Sequence, residues 1–331
     1  MQYRRLGTSD LEVSIIGFGA WGISGGSMWG DQDEQDSMNA LNAAVDAGMT
    51  FIDSAEGYGD GYSEELIGRA LSGRRDEIVL ATKVSPTHLR PESLRSSCEA
   101  SLRRLATDHI DLYQIHWPSP PGDPDAVAET LGRLRDEGKI RYAGVSNFGP
   151  ADLDPYPANL FVSNQIAYSV AFRAIEYELL PATRERGMSV IGYSTLLHGV
   201  LTGTYANADE VPPGRARTRH FSSARESVRH FEQGHEESLF ALIDEMRAVA
   251  AEAGLTVREV AILWVLAQEG VATTLAGSRN AGQAQSNAAV AEKALVPEHL
   301  RRLTVASEPL KEAMGPNPDM WQSESRVSHR G

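Results

Sequence analysis

Four titratable side chains stand where short apolar runs of the sequence end, so they could share one site. Asp53 stands at the end of the second run (TFIDSA), Lys83 at the end of the third (EIVLATKV) and His116 at the end of the fourth (IDLYQIHW). Tyr58 lies just after Asp53, in DSAEGYG. A phenol, an ammonium, a carboxylate and an imidazole together suit proton transfer to and from a carbonyl oxygen.

In this hypothesis Tyr58 is the general acid in reduction and the general base in oxidation. Its phenol has an ordinary pKa of about 10, and a nearby Lys83 ammonium is expected to lower that pKa. Asp53 would pair with Lys83 so that a buried cation has a partner, and a neutral His116 would donate a hydrogen bond to the substrate oxygen. Each residue alone also fits an ordinary role: a loop cap, a rim cation, a hydrogen-bonded histidine or a packed ring.

The elements that must position these residues follow an alternating pattern. Apolar strand-like runs alternate with amphipathic helical stretches from SIIGFG to VATTLAG, giving eight βα units without a break in composition. Such units imply a parallel sheet covered by helices, and eight of them favour a closed (β/α)₈ TIM barrel. The carboxyl ends of its strands meet at one mouth, where active sites of this fold lie.

We therefore predict one α/β domain over residues 1–331. Its first dozen residues would form a β-hairpin at the bottom of the barrel, residues 202–237 a long loop after the seventh strand, and residues 297–331 a helix and tail. Ser63 is the expected N-cap of the helix GYSEELIGRALSG, and EYELLPATRERG is expected to form one helix.

A competing interpretation comes from Gly17-x-Gly19-x-x-Gly22, which has the spacing of a Rossmann dinucleotide fingerprint. That fingerprint requires a helix at the third glycine and an acidic residue at the end of the next strand about 20 residues on. The segment after Gly22 is loop-like, and the next strand ends at Asp53, about 30 residues on, against the spacing required. The Rossmann interpretation is therefore rejected.

Composition excludes several classes of function. The net charge of −14 argues against nucleic-acid binding, which needs a basic face. Cys98 is the single cysteine, so no internal disulfide can form, and its helical setting predicts a core residue. No apolar run approaches the roughly 20 residues of a membrane span, and no signal-peptide core is evident. We expect a cytoplasmic protein without membrane insertion. The histidines of the 202–237 loop lack compact ligand spacing, so no metal is predicted.

Several motifs together resemble the aldo-keto reductase superfamily. FIDSAEGYGDGYSEELIGRAL resembles its D-x-A-x-x-Y-G signature, ATKV its lysine strand and DLYQIHWP its histidine strand. GVSNF, NQIAYS, GYSTLLHGVLTG and AGSRNAGQAQSN resemble its cofactor segments, so the resemblance covers nearly the whole chain. It implies a (β/α)₈ barrel, NAD(P)H as hydride donor and a catalytic tetrad of Asp53, Tyr58, Lys83 and His116.

The resemblance also implies where an extended nicotinamide cofactor would lie. Ser146, Asn147 and Gln165 would bind the carboxamide, and Tyr193 would stack on the nicotinamide ring. Gly19, Trp21 and Asp53 are also expected to contact the cofactor near its nicotinamide end. Gly19 and Trp21 belong to the first strand and the loop after it. The pyrophosphate would run along Ser194, Leu196 and Gly199.

The adenosine end is expected on the segment after the eighth strand. Gly277 and Ser278 would lie beside the 2′-phosphate with Arg279, while Gln283 and Asn287, four apart on a helix, would face the adenine. An arginine fork suits a phosphate and favours NADP(H) over NAD(H). NAD(H) remains possible, because Thr204 stands where many relatives have lysine, and Gln283 and Ser286 where some have arginine and glutamate.

The 202–237 loop contains arginines that either close over the cofactor phosphates or form a solvated basic loop; they are Arg215, Arg217, Arg219, Arg225 and Arg229. Aromatic residues in or beside the mouth loops are expected to line the substrate cleft with Tyr58; they are Trp21, Trp29, Trp117 and Phe148. Another aromatic residue, Trp321, lies in the tail. The expected partner is a small carbonyl compound: an aldehyde, a ketone or a sugar.

Two other functions stay open at this point: a cofactor-binding regulatory subunit like the potassium-channel β-subunits, or an NAD(P)-using sugar epimerase or dehydratase. An intact tetrad is compatible with each of them, so the motifs do not separate them from a reductase. The sequence predicts neither the oligomeric state nor the particular substrate.

Overall fold

Eight parallel strands close into a barrel in the order β10-β3-β4-β5-β6-β7-β8-β9. The structure, a computed structural model, describes residues 1–26, 29–119, 123–226 and 228–328. The strands are β1 (Tyr3–Arg5), β2 (Glu12–Ser14), β3 (Ile16–Gly19), β4 (Phe51–Asp53), β5 (Val79–Val84), β6 (Ile110–Ile115), β7 (Ile140–Ser146), β8 (Phe161–Ala167), β9 (Ser189–Tyr193) and β10 (Val271–Ala276). The prediction of a (β/α)₈ barrel is confirmed.

Helices follow the barrel strands and cover them. They are α1 (Glu34–Asp46), α2 (Tyr62–Ala70), α3 (Pro91–Arg104), α4 (Pro124–Asp136), α5 (Pro150–Leu153), α6 (Leu179–Glu185), α7 (Glu236–Ala253), α8 (Val257–Leu266), α9 (Ala281–Ala288) and α10 (Pro297–Met314). Their first turns carry local stabilising features. Asp33 accepts a hydrogen bond from the Asp36 amide at the start of α1, and Thr256 and Glu259 form a reciprocal capping box on α8.

The N-terminal hairpin predicted from the sequence is present, with β1 antiparallel to β2. Its apolar side chains meet residues from the lower halves of the strands and close the bottom of the barrel; the cluster is Leu6, Leu11, Val13, Phe51, Ala81, Leu112, Val162, Ile191 and Ala272. A second, larger cluster fills the space between strands and helices. Because the bottom is plugged, the opening of the barrel lies at the carboxyl ends of its strands.

Two local predictions about helices are wrong. Gly61, with φ +94, precedes α2, and Ser63 lies inside the first turn, where its hydroxyl donates to the Ala20 carbonyl at 3.1 Å. The segment expected as one helix divides into a 3-10 turn at Ala174–Glu176 and α6. Pro181 is the third residue of α6, in the first turn, where a proline is tolerated because its missing N–H would have no partner within the helix.

The glycines of the rejected Rossmann fingerprint have other roles. Gly17 lies within β3, where an added Cβ would stand 2.7 Å from the Phe51 ring, so close packing requires glycine there. Gly22 lies in a 3-10 turn, Ala20–Ser24, rather than in the loop that the sequence suggested. The next α-helix in the described residues, α1, begins only at Glu34.

The segment after β9 is anchored to the C-terminal tail. Buried Arg219 donates hydrogen bonds to the carbonyls of Met314 at 2.7 Å and Asn317 at 2.9 Å, and its own amide donates to Met320 at 3.0 Å. Residue 227 of the predicted loop and residues 329–331 of the predicted tail lie outside the described residues. This anchoring argues against the interpretation of the segment as a solvated basic loop.

Two remaining expectations concern burial. Cys98 is fully buried, and burial raises the pKa of its thiol to about 12, so it is a core residue. None of the helices in the described part of the chain is long and apolar enough to cross a membrane.

Candidate active site

A cavity of about 940 Å³ opens at the carboxyl ends of the barrel strands. Its floor carries Asp53 at the end of β4, Tyr58 in the following loop and His116 directly after β6, while Lys83 near the end of β5 lies just beneath. The structure thus brings together the four residues that the sequence singled out. Parallel strands place their ends at one mouth, which explains how residues 63 positions apart come to share it.

Lys83 connects the floor of the cavity. Its fully buried ammonium donates to Asp53 Oδ1 at 2.5 Å, to the Ser54 carbonyl at 2.7 Å and to the Tyr58 hydroxyl at 3.4 Å. The other Asp53 oxygen accepts from Gln114 at 3.0 Å and Gln165 at 2.8 Å. The carboxylate and the ammonium are therefore both satisfied without water.

The charges around Tyr58 modify the expectation drawn from the sequence. Burial of the Lys83 ammonium opposes its charge, but Asp53 and Tyr58 outweigh this effect, so the pKa of Lys83 is raised. Burial raises the pKa of Tyr58, and the charge of Lys83 offsets only part of that rise. The expected net lowering is wrong because desolvation of the phenolate is the larger effect. Tyr58 is accordingly held as a protonated phenol at neutral pH.

His116 faces Tyr58 across the cavity, with ring centres 5.7 Å apart and planes at 77°. Burial, with the charge of Lys83 as a second cause, lowers the pKa of His116 to about 3. The imidazole is thus neutral at physiological pH and keeps one N–H donor and one acceptor. This agrees with the neutral hydrogen-bond donor expected from the sequence.

The residues expected near a nicotinamide lie on neighbouring strand ends. The Ser146 hydroxyl donates to the Gln165 carbonyl at 2.9 Å, and the Tyr193 hydroxyl donates to Asn147 Oδ1 at 2.7 Å. The Asn147 amide group donates to the His116 carbonyl at 3.1 Å. Asn147 is therefore committed to protein partners. The Gln165 side-chain NH₂ donates to Asp53, which leaves its side-chain oxygen, Oε1, for a ligand.

The middle of the cavity is lined by Ser194, Leu196 and Gly199 after β9, and on the same side by Arg215, Arg217 and Arg229. Within the described ranges these three arginines have no ion pair. Burial and the charge of Arg229 lower the pKa of Arg217, as expected for a guanidinium that lacks a counter-charge. Arg219 and Arg225 of the same loop instead pair with Glu232 and Glu236.

Buried polar atoms lie around this part of the cavity without a partner among the described residues: Arg217 Nε, Trp29 Nε1 and His198 Nδ1. The Trp321 ring links two of these residues, since it stacks on His198 with centres 4.9 Å apart and lies 4.9 Å from the Arg217 guanidinium. Guanidinium groups without an ion pair in the described residues, at the wall of one cavity, fit a phosphate-rich group. The residues present are therefore suited to a pyrophosphate.

At the far end the turn after β10 leads into α9. Gly277, Ser278, Arg279, Gln283 and Asn287 all line the cavity there. The Gln283 side-chain oxygen accepts from the Arg279 amide at 2.8 Å, which leaves its NH₂ group available. The expected adenosine segment thus faces the same cavity as the tetrad.

Aromatic rings form the wall above the floor. Trp21 stacks on Tyr58, with centres 5.9 Å apart and planes at 20°, and Trp29 meets Trp21 edge-on at 5.4 Å. Trp117 and Trp321 also line the cavity. Four tryptophans from three separate segments thus give this wall a large aromatic surface.

The assignment of Phe148 to this wall is wrong. The backbone turns at Asn147, which has φ +63, and the buried Phe148 ring packs against Tyr156 and Phe161 at 6.2 and 6.4 Å. The turn directs the side chain away from the mouth into the core between β7, β8 and α5. Gly19, Trp21, Trp29 and Trp117 do lie at the cavity as expected.

Sequence reasoning left several cavity residues without a role: His198, Arg258, Trp321 and Arg326. Arg258 lies on α8 and Trp321 and Arg326 in the tail, neither of which follows a barrel strand directly. Trp321 is evident in the sequence, but its position along the chain does not indicate that it lies at the mouth of the barrel. His198 lies in the LLHG segment, where a left-handed φ of +55 could have drawn attention only after the fold was known.

The chain is similar to known proteins in sequence and in fold. The sequence profile of the Aldo/keto reductase family matches residues 15–308. The chain is 34% identical over 309 residues to the NADH-specific methylglyoxal reductase of Escherichia coli (strain K12), covering 86% of this chain and 91% of that protein. The solved glycerol dehydrogenase AKR11B4 from Gluconobacter oxydans superposes with a TM-score of 0.80 at 31% identity, covering 96% and 97% of the two chains. An aldo-keto reductase from Klebsiella pneumoniae in complex with NADPH gives 0.73 and 29%, covering 99% and 98%.

Proposed function

Since the chain belongs to the aldo/keto reductase family, whose reaction is NAD(P)H-dependent carbonyl reduction, we propose that Tyr58 is the general acid of that reaction in this protein. The substrate would be a small aldehyde, ketone or sugar. The observation that carries the proposal is the contact of the Lys83 ammonium with the Tyr58 hydroxyl at the floor of the cavity.

The cofactor that the cavity fits best is NADP(H). Unpaired arginines in the middle and at the far end of the cavity suit its phosphates, and the solved Klebsiella pneumoniae relative is in complex with NADPH. NAD(H) is the alternative, because the Escherichia coli relative is NADH-specific. Ser146 and Gln165 would hold the carboxamide end, with Tyr193 against the nicotinamide ring and Arg217 at the pyrophosphate. When bound, the reduced cofactor supplies the hydride that the carbonyl carbon receives.

Tyr58 moves the proton. Its raised pKa keeps the phenol protonated, so it can donate to the carbonyl oxygen as negative charge develops there. Lys83 stabilises the phenolate that remains, because its ammonium lies 5.0 Å from the centre of the ring and within hydrogen-bond reach of the oxygen. Asp53 holds Lys83 in this position and balances its charge.

His116 orients the substrate. As a neutral imidazole across from Tyr58, it can donate a hydrogen bond to the same carbonyl oxygen without repelling the Lys83 charge. The tryptophan wall excludes water from the reacting atoms and strengthens these electrostatic interactions. No other residue at the floor of the described cavity is needed for the proton transfer.

The experiment that tests the proposal is NADPH oxidation against a panel of aldehydes, ketones and sugars, with Tyr58→Phe beside the parent protein. Loss of a general acid is expected to lower kcat by about 10²–10⁴-fold, while the affinity for NADPH stays within about twofold. Tyr62→Phe is the matched control, since the Tyr62 hydroxyl bonds Glu34 outside the cavity. Full activity in Tyr58→Phe would refute the mechanism.

The same panel decides between the functions that the sequence left open. Product formation without net NADPH consumption would indicate an epimerase or dehydratase. NADPH binding without turnover of any compound would indicate a regulatory subunit.

A further inference from the structure

Arg258 is a second cation at the far end of the cavity, and it comes from an element that the motifs do not include. It is the second residue of α8, and its side chain lines the cavity together with Arg279 from the turn after β10. Both side chains thus line the cavity beside α9, and they come from two separate elements.

The hydrogen-bond partners of Arg258 are neutral. Its Nη1 donates to Asn287 Oδ1 at 2.5 Å, and its Nη2 donates to the Ser286 hydroxyl at 2.7 Å. In the part of the chain that the structure describes, Arg258 makes no ion pair. Its position is therefore fixed while its charge remains unbalanced.

Asn287 links Arg258 to the phosphate-facing turn. Its buried amide group donates to the Gly277 carbonyl at 3.2 Å and to the Ser278 hydroxyl at 3.0 Å, while its oxygen accepts from Arg258. Both amide hydrogens and one lone pair are thus used inside the protein. This arrangement makes Asn287 a positioning residue for Arg258 and Ser278, rather than the adenine contact expected from the sequence.

Arg279 is held in the same manner by neutral groups. Its Nε donates to Gln32 Oε1 at 2.5 Å and its Nη2 to the Asp31 carbonyl, while Gln32 donates back to the Arg279 carbonyl at 2.8 Å. Arg279 also lacks an ion pair among the described residues. Two fixed and uncompensated guanidinium groups therefore lie at one end of a single cavity.

We propose that Arg258 and Arg279 together bind the 2′-phosphate of NADP(H), and that Arg258 sets the preference for NADP(H) over NAD(H). A phosphate monoester carries about −1.5 to −2 charges at pH 7, which one arginine balances only in part and two balance fully. Ser278 supplies a hydroxyl at the same place. The inference takes the identity of the cofactor from the proposed function.

The test uses the full-length protein and equilibrium titration by calorimetry, with 2′,5′-ADP and 5′-AMP as probes. These two nucleotides differ only in the 2′-phosphate. Arg258→Ala is expected to weaken binding of 2′,5′-ADP at least tenfold and to change binding of 5′-AMP less than twofold. Arg258→Gln keeps an NH₂ donor for Asn287 but removes the charge, and it is expected to show most of the same loss.

Arg133→Ala is the matched control, because Arg133 is exposed on α4 and pairs with Glu129; it is expected to bind both nucleotides as the parent does. Equal weakening for both nucleotides in Arg258→Ala would overturn the proposal in favour of a structural role. Full affinity for 2′,5′-ADP in Arg258→Gln would refute the role of the Arg258 charge. Equal affinity of the parent protein for the two nucleotides would refute the 2′-phosphate site itself.

These titrations measure equilibrium binding and do not depend on catalytic turnover. If the protein shows the expected binding pattern but reduces no carbonyl compound, the proposed 2′-phosphate site stands and the proposed function is refuted. If the protein reduces carbonyl compounds but substitution of Arg258 changes the affinity for neither nucleotide, the proposed function stands and this site is refuted.

Discussion

The guanidinium of Arg326 lies 3.6 Å from the centre of the Trp117 ring, so the C-terminal tail reaches the residue that directly follows His116. Arg326 is held there by Asp319, a buried carboxylate that accepts from its Nε at 2.6 Å and its Nη2 at 3.0 Å. The tail therefore forms part of the cavity wall close to the proposed reacting atoms.

Removal of this contact is expected to affect substrate binding and leave cofactor binding intact. A cation over an aromatic ring at an exposed site contributes about 0.5–1 kcal/mol, which corresponds to a rise in KM of roughly two- to fivefold for Arg326→Ala. Steady-state kinetics with the best carbonyl substrate, together with NADPH titration, separates the two effects. Glu324→Ala, in the exposed part of the tail, serves as control. A parallel loss of NADPH affinity in Arg326→Ala would contradict this placement of the tail.

Lys83→Met is expected to destabilise the protein, because Asp53 would remain buried with only the amides of Gln114 and Gln165 as partners. Breaking one side of a buried ion pair costs about 3–5 kcal/mol. The double variant Asp53→Leu/Lys83→Met removes both charges and is expected to regain most of that stability while remaining inactive. Urea unfolding of the three proteins measures the effect. A double variant no more stable than Lys83→Met would show that the pair is not the cause.

The pH dependence of the two reaction directions is expected to differ. Burial holds the pKa of Tyr58 above its ordinary value, so the proton donor for reduction is present throughout, and kcat/KM stays constant between about pH 6 and 9. Oxidation needs the phenolate and is expected to rise about tenfold per pH unit over that range. His116, with a pKa of about 3, adds no inflection. Initial rates in both directions provide the profiles, and a reduction rate that falls from pH 7 to 9 would be incompatible with this protonation state.

Acid is expected to destabilise the fold through buried histidines, of which His198 and His220 lie outside the proposed catalytic tetrad. The pKa values of His198 and His220 are lowered to about 3 by burial, against about 6.5 in an unfolded chain. Between these values the unfolded state binds more protons, so the free energy of unfolding falls as pH falls from about 6.5 toward 3, by up to about 1.4 kcal/mol per pH unit for each histidine.

His198→Asn tests this expectation, since asparagine tolerates the left-handed backbone at this position. Urea unfolding of the variant between about pH 4.5 and 6 should show a slope smaller by about one proton, or 1.4 kcal/mol per pH unit. An unchanged slope would mean that His198 is already charged in the folded protein.

The barrel and the floor of its site could be predicted because each depends on local pattern. Apolar runs fix the strands, parallel strands fix the common mouth, and Asp53 and Lys83 lie within one or two residues of the strand ends. The sign of the Tyr58 pKa shift could not be predicted in this way. It depends on how much protein surrounds the phenol, which no spacing along the chain specifies.

Residues that reach the cavity only through tertiary packing could not be predicted from the sequence pattern. Arg258 lies in the first turn of α8, whose residues from Glu259 to Leu266 are all buried, and nothing in its sequence context places its side chain at the cavity. Phe148 shows the opposite case. It follows a strand end as cofactor and substrate residues do, but one left-handed residue, Asn147, turns it into the core.

The hydrogen bonds from Arg219 to the tail bear on how this protein could be re-engineered. The loop after β9 supplies the arginines near the middle of the cavity, the tail supplies Trp321 and Arg326, and Arg219 binds one segment to the other. A graft of either segment alone from a relative would leave the Met314 and Asn317 carbonyls without their donor, or the Arg219 guanidinium without its acceptors. The two segments therefore constitute one exchangeable module, and chimeras that transfer them as a pair should preserve both halves of the cavity.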